Sequence, residues 1–152
     1  MRDIESRQDI ETVIMAFYTK VRADELLGPF FNGTFTTQHA WDHHYPILID
    51  FWEQNLFANP IFGGNPTMAH HGVDKRFNFA ITKDHFDRWV DIWTANIDLH
   101  FAGEKVELSK TKLGRLRVGM YEKVLRTRST LENQELPKFS VLGKTNTDRK
   151  IK

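Results

Sequence analysis

Apolar residues recur along most of this chain at steps of three and four, the spacing of one helical face. Ile10, Val13, Ile14, Phe17 and Val21 form the first such stripe and predict a helix over about residues 8–23. The run Leu26-Leu27-Gly28-Pro29 reads as its stop, because glycine suits a helix C-terminus and proline cannot continue the pattern. Phe30 and Phe31 fall in a tight connection, and Asn32-Gly33 reads as a turn. Thr36 or Thr37 can cap a second helix that runs to about Phe57, with Trp41, Tyr45, Leu48, Phe51, Trp52 and Leu56 as its stripe. Pro46 lies inside this helix and removes a backbone donor, so a kink or break is expected there.

Residues 58–66 read as a loop, Thr67 to Val73 as a short helical segment weakened by Gly72, and 74–82 as irregular. A third long helix spans about Lys83 to His100, with Thr82 as its cap and Phe86, Trp89, Val90, Trp93, Ile97 and Phe101 along its buried side. A fourth spans about Glu104 to Arg126, where Val106, Leu113, Leu116, Met120, Tyr121 and Val124 face inward. Gly114 and Gly119 each weaken it by up to ~1 kcal/mol. Residues 127–152 are polar, contain Pro137, and are expected to fray or stay disordered. No strand pattern and no internal repeat is present. The expectation is an all-α fold: one domain over residues 1–126 and a polar tail over 127–152.

Composition narrows the function classes. A formal net charge of +1 over 152 residues gives no electrostatic reason to expect nucleic acid or an anionic membrane as partner. The absence of cysteine excludes disulfides, thiolate chemistry and Cys-ligated metals. The first residues, Met1-Arg2-Asp3-Ile4-Glu5, do not resemble a signal peptide, and no run approaches the ~18 apolar residues of a membrane helix. A soluble cytoplasmic monomer is the default expectation. Twelve Phe, four Trp, three Tyr and seven His point to a pocket for a flat apolar guest with a nitrogen ligand.

Four clusters can carry chemistry. In Pro66-Thr67-Met68-Ala69-His70-His71-Gly72-Val73, a helical histidine after a loop can coordinate iron in an apolar slot, or the pair can simply sit on the surface. Tyr18, on the edge of the first stripe, is a buried phenol that must find a hydrogen-bond partner, whether a backbone carbonyl or a ligand. His39 and His43 are four apart and can share a metal, though no convincing third and fourth ligand follows; His44 can look inward. Trp89 and Trp93 are one turn apart; Trp93 reads as core, and Trp89 as core or as an indole N–H directed at a ligand.

In register, the chain carries Phe17-Tyr18-x-x-Val21-Arg22-x-Asp24-x-x-Leu27-Gly28-Pro29-x-Phe31 and Trp41-x-x-His44 with Phe51-Trp52. It continues with Asn65-Pro66-x-x-x-His70-x-x-Val73 and His85-Phe86-Asp87-Arg88-Trp89-x-x-x-Trp93. Over about residues 8–125 this resembles the truncated haemoglobins, within them the third group, a family of bacterial globin-like proteins. The resemblance implies a two-over-two helical sandwich around a b-type haem, with His70 as proximal iron ligand; its Pro-x-x-x-His spacing favours His70 over His71. It also implies Tyr18 and Trp89 on the distal side and His44 as a distal gate. Phe31 would pack on the haem, with Phe51, Trp52, Phe77 and Trp93 as further pocket wall. The stretch 74–82 departs from the family pattern, and Arg76 is the residue it offers to the haem propionates.

The implied ligands are oxygen, nitric oxide or carbon monoxide. Two donors, Tyr18 and Trp89, would hold oxygen too firmly for transport, which points to nitric oxide and oxygen chemistry, as a dioxygenase or a peroxidase-like activity. No flavin or nicotinamide motif occurs, so turnover would need a separate reductase. The alternatives are a haem-based sensing module without turnover, a non-haem metal bundle using His39, His43 and His70, and a plain helical interaction domain.

Overall fold

The computed structural model describes residues 1–58, 74–75, 77 and 80–142, with 131–142 described by backbone alone. Five helices occur among these residues: α1 Arg7–Ala23, α2 Gly28–Thr34, α3 Gln38–Phe57, α4 Lys83–His100 and α5 Glu104–Leu142. The expected segment Thr67–Val73, and with it His70, His71 and the loop before them, lies outside the described residues, as does Arg76.

Helix α1 begins where the Ser6 hydroxyl accepts the Asp9 N–H at 3.2 Å, satisfying one of the orphan donors of a first turn. Arg2 grips the Asp9 carboxylate through both oxygens at 2.6 and 2.7 Å. That bond outweighs burial and holds the Asp9 pKa down at about 2. All five expected stripe residues of α1 are buried, and Tyr18 joins them.

The first helix ends at Ala23, as its stripe predicts, but not by the expected stop. Asp24 ends α1, and its carboxylate accepts the N–H groups of Leu26 and Leu27 at 3.1 and 3.0 Å. Gly28 and Pro29 are therefore not a stop but the start of α2. The physical reason is that proline lacks only a donor that a first turn leaves unused, and its fixed φ already suits a helix. Asn32-Gly33, expected as a turn, runs as helix inside α2. Gly33 serves there by close approach: a Cβ at this position would meet Phe77 Cζ at 2.5 Å.

Thr37 caps α3, accepting the Ala40 N–H at 3.1 Å. The helix passes through Pro46 as one element, with Trp41, Tyr45, Ile49, Trp52 and Leu56 buried along one side and Leu48 and Phe51 half-buried beside them. Helix α5 starts on a long-range cap, the Asp3 carboxylate accepting the Lys105 and Val106 N–H groups at 2.8 and 3.2 Å. The apolar stripe predicts an end near Arg126, whereas the structure carries the helix to Leu142. One cause is tertiary: beyond that point Arg128 is tied to Asp74 and to the carbonyl of Ile81.

Helices α1 and α3 pack together, as do α4 and α5, and the two pairs meet through α1 against α4 and α3 against α5. This is the expected all-helical two-over-two arrangement. The main core joins Ile10, Ile14, Phe17, Trp41, Trp52, Trp93 and Ile97, among others. A smaller cluster of Ile81, Phe86 and Met120 lies beside it. Trp89 and Leu116 pack against both. No helix among the described residues is long and apolar enough to cross a membrane.

Candidate functional site

Tyr18 is the centre of an aromatic group drawn from four helices. Its ring is 4% exposed and lies 5.7 Å from Phe31 of α2, 5.7 Å from Trp41, 6.5 Å from His44 and 6.4 Å from Tyr45 of α3. The fourth helix contributes Trp89, whose indole N–H faces the phenol oxygen. Burial pushes the Tyr18 pKa far up, the Trp89 N–H pulls against it, and burial wins. Tyr18 therefore stays a neutral O–H donor.

His44, half-buried, stacks on Phe35 with ring centroids 4.1 Å apart and planes 25° from parallel. Arg88 holds α4 against the corner between α1 and α2: its guanidinium reaches Asp24 Oδ1 at 2.8 and 2.6 Å from two nitrogens. Arg88 directly precedes Trp89 in the chain.

The other expected wall residues fall in two places. Trp52 and Trp93 stack at 4.5 Å within the closed core, and the Trp93 N–H is taken up by Ser109 Oγ at 3.0 Å. Phe51, half-buried, meets Trp52 edge-on at 5.3 Å. Phe77 lies on the far side of α2, 4.9 Å from Phe30 and close over Gly33, and is not among the rings around Tyr18. His39 and His43 pair at 4.9 Å on the exposed start of α3, and no group of three or more metal-ligating side chains occurs among the described residues.

Sequence reasoning missed Phe35 and did not assign Trp41 or Tyr45 to the site. Phe35 follows Phe31 by four residues, a helical step that would have paired them had α2 been recognised. Trp41 is fully buried, carries the Arg22 guanidinium 4.6 Å over its ring, and its Nε1 has no hydrogen-bond partner among the described residues.

A haem needs a half-covered apolar slot with one polar group at the iron. Phe31, Phe35, Leu48, Phe51 and Trp89 are only partly buried at the edge of the main core, and Trp89 spans to the second cluster. With Tyr18 buried beside Phe31 and Trp89, this apolar edge and its one buried hydroxyl fit the chemistry of such a group.

Among solved structures, the crystal structure of a group III truncated haemoglobin from Campylobacter jejuni superposes on the chain with a TM-score of 0.72, covering 82% of this chain and 95% of the other at 20% identity. The fold is that of a truncated haemoglobin. Among curated proteins, a group 3 truncated haemoglobin of the same organism is 24% identical over 100 residues, spanning 65% of this chain and 75% of the relative. No family model matches the chain. Both comparisons agree with the resemblance read from the motifs, and the truncated-haemoglobin fold accounts for the order of helices that brings Tyr18, His44 and Trp89 together.

His85, the first residue of the motif that contains Trp89, closes the start of α4. Its Nδ1 accepts the Thr82 N–H at 2.9 Å, and its ring stands 4.6 Å from Phe30. Desolvation holds its pKa below 6.5, against the opposing charges of Asp84 and Asp74. Only the neutral ring can accept that bond. The folded state thus disfavours the proton that the unfolded chain takes up once pH falls below 6.5, and stability present above that pH is lost as pH drops further. The melting temperature is expected to fall between about pH 7.5 and pH 5.5. The variant His85→Glu, which keeps an acceptor at the third helical position, should show a shallower fall, read by circular dichroism. Equal slopes for the two proteins would remove the cap from this role.

Proposed function

We propose that this chain holds a b-type haem through His70 and binds oxygen, nitric oxide or carbon monoxide on the Tyr18 side. A haem held here by His70 would supply an iron able to bind a diatomic gas. Tyr18 donates its O–H toward the guest, Trp89 orients that phenol from behind, and His44 with Phe35 closes the way in from α3. Phe31, Phe51 and Trp89 exclude water along the slot. His70 is assigned as ligand by its place in the motif that follows Asn65-Pro66.

The observation that carries this reading is the buried, neutral Tyr18 hydroxyl with Trp89 facing its oxygen, at the partly covered edge of an aromatic core. A buried donor in a site without free water binds partial negative charge more strongly than an exposed one. That supports nitric oxide and oxygen chemistry over oxygen delivery, with a separate reductase restoring the iron between cycles. A cytoplasmic monomer completes the proposal.

Adding hemin to the purified protein tests it. A Soret band that saturates at an equimolar amount, followed by spectral shifts with oxygen and carbon monoxide after reduction, is the expected result. A protein that gains no such band is not a haem protein.

A further inference from the structure

The formal net charge of +1 conceals a separation of charge along the chain. Thirteen of the 21 Lys and Arg residues lie in 104–152, against six of the 20 Asp and Glu, so α5 and the residues after it are basic and the rest is acidic. The separation sharpens over residues 111–126, where Glu122 is the only acid beside Lys112, Arg115, Arg117, Lys123 and Arg126. Other cations of this helix are neutralised: Lys110 by Asp98 and Glu107, Arg117 by Asp87, Arg128 by Asp74. Lys112, Arg115, Lys123 and Arg126 enter no ion pair among the described residues. With Gly119 between them they follow at steps of three, four, four and three, which places them in one row along the helix.

A second row runs beside the first. Gly114, Val118, Tyr121 and Leu125 follow at steps of four, three and four. Val118 is 51% exposed and Leu125 40%, on the solvent side of a helix where polar residues are the rule. Leu113, Met120 and Val124 take the opposite side of α5 into the core, so its orientation is set. No described residue fills the space beside the two rows at their glycines: a Cβ added at Gly114 or Gly119 would meet nothing within 4 Å.

Unpaired cations next to exposed aliphatic side chains suit a helix lying along an anionic bilayer, where the cations meet headgroups and the aliphatic groups enter the acyl boundary. We infer that α5 docks this protein on an anionic lipid surface through Lys112, Arg115, Lys123 and Arg126, with Val118 and Leu125 entering beside them. Nucleic-acid phosphates would satisfy the basic row and leave Val118 and Leu125 with nothing to gain. A protein partner would have to offer a groove to this convex face, whereas a bilayer deforms around it. None of these residues is among the rings around Tyr18, so docking is independent of the haem reading.

Sedimentation of the whole chain with lipid vesicles, with and without added hemin, tests the docking. The chain should bind vesicles of phosphatidylcholine mixed with phosphatidylglycerol and ignore those of phosphatidylcholine alone. Rising salt should release it, because screening shortens the reach of each charge. A basic side chain near such a surface is worth about fivefold in partitioning, so Arg115→Gln with Lys123→Gln should weaken binding roughly twenty-five-fold. Val118→Gln with Leu125→Gln keeps every charge and a good helix former, and should weaken binding about tenfold. Circular dichroism should show both variants folded as the natural chain is.

Failure to bind the mixed vesicles would overturn the proposal, and so would binding that ignores lipid charge. Weaker binding in the basic variant with none lost in the apolar one would overturn it in favour of a nucleic acid or an acidic protein. Unaltered binding in both variants would place the contact elsewhere on the chain and overturn it equally.

Discussion

Replacing Tyr18 with phenylalanine is expected to release oxygen roughly ten- to a hundredfold faster from the reduced protein. The substitution keeps the ring, and with it the contacts to Phe17, Phe31, Trp41 and Tyr45, and removes one hydroxyl. A hydrogen bond to a charged acceptor contributes about 1.5–3 kcal/mol, and each ~1.4 kcal/mol is a factor of ten. Such differences fall mostly on the rate of leaving. Since Trp89 faces the phenol oxygen, its N–H loses that acceptor in the variant and is free to turn toward the guest. Partial compensation of this kind sets the lower end of the range, and the double variant Tyr18→Phe with Trp89→Phe should reach the upper end. Stopped-flow displacement of oxygen by carbon monoxide reads both. Identical rates for the natural chain and Tyr18→Phe would remove Tyr18 as the stabilising donor.

The helices that build this pocket were legible where one face is apolar over several turns. The stripes of α1, α3 and α4 gave their extents to within a residue or two at most ends, and Thr37 and Thr82 were identifiable caps. What stayed hidden is of two physical kinds. Gly28-Pro29 and Asn32-Gly33 carry the composition of a connection, yet proline is equally at home at a helix start, so α2 was lost and Phe35 with it. The other kind is long-range pairing. Asp3 caps a helix that starts about a hundred residues later, Ser109 takes the Trp93 N–H across two helices, and Arg128 reaches back to Asp74. No local period signals any of these, so α5 seemed to end where its stripe does.

The site divides in the same way. Tyr18, His44 and Trp89 came from the family resemblance, and the fold brings them to one place. Trp52 and Trp93, assigned to the pocket wall by the same resemblance, lie stacked inside the core, and Phe77 lies across α2 from Tyr18. Stripe arguments alone leave Trp89 undecided between core and ligand. Its half-buried setting between two clusters distinguishes it from Trp93, and that distinction is visible only in three dimensions.

The account as a whole depends on the imidazole at position 70. The alanine variant of His70 removes that nitrogen and little else, and a small helix-compatible residue keeps the chain foldable. Iron held by a neutral imidazole has an iron–nitrogen stretching band in the reduced state, and the matched variant His71→Ala controls for the neighbouring ring. Resonance Raman spectra of the reduced, ligand-free protein are the decisive measurement. The band should be present in the natural chain and in His71→Ala, absent in His70→Ala, and restored to the latter by free imidazole. An unaltered band in His70→Ala, with hemin taken up as before, would contradict the assignment.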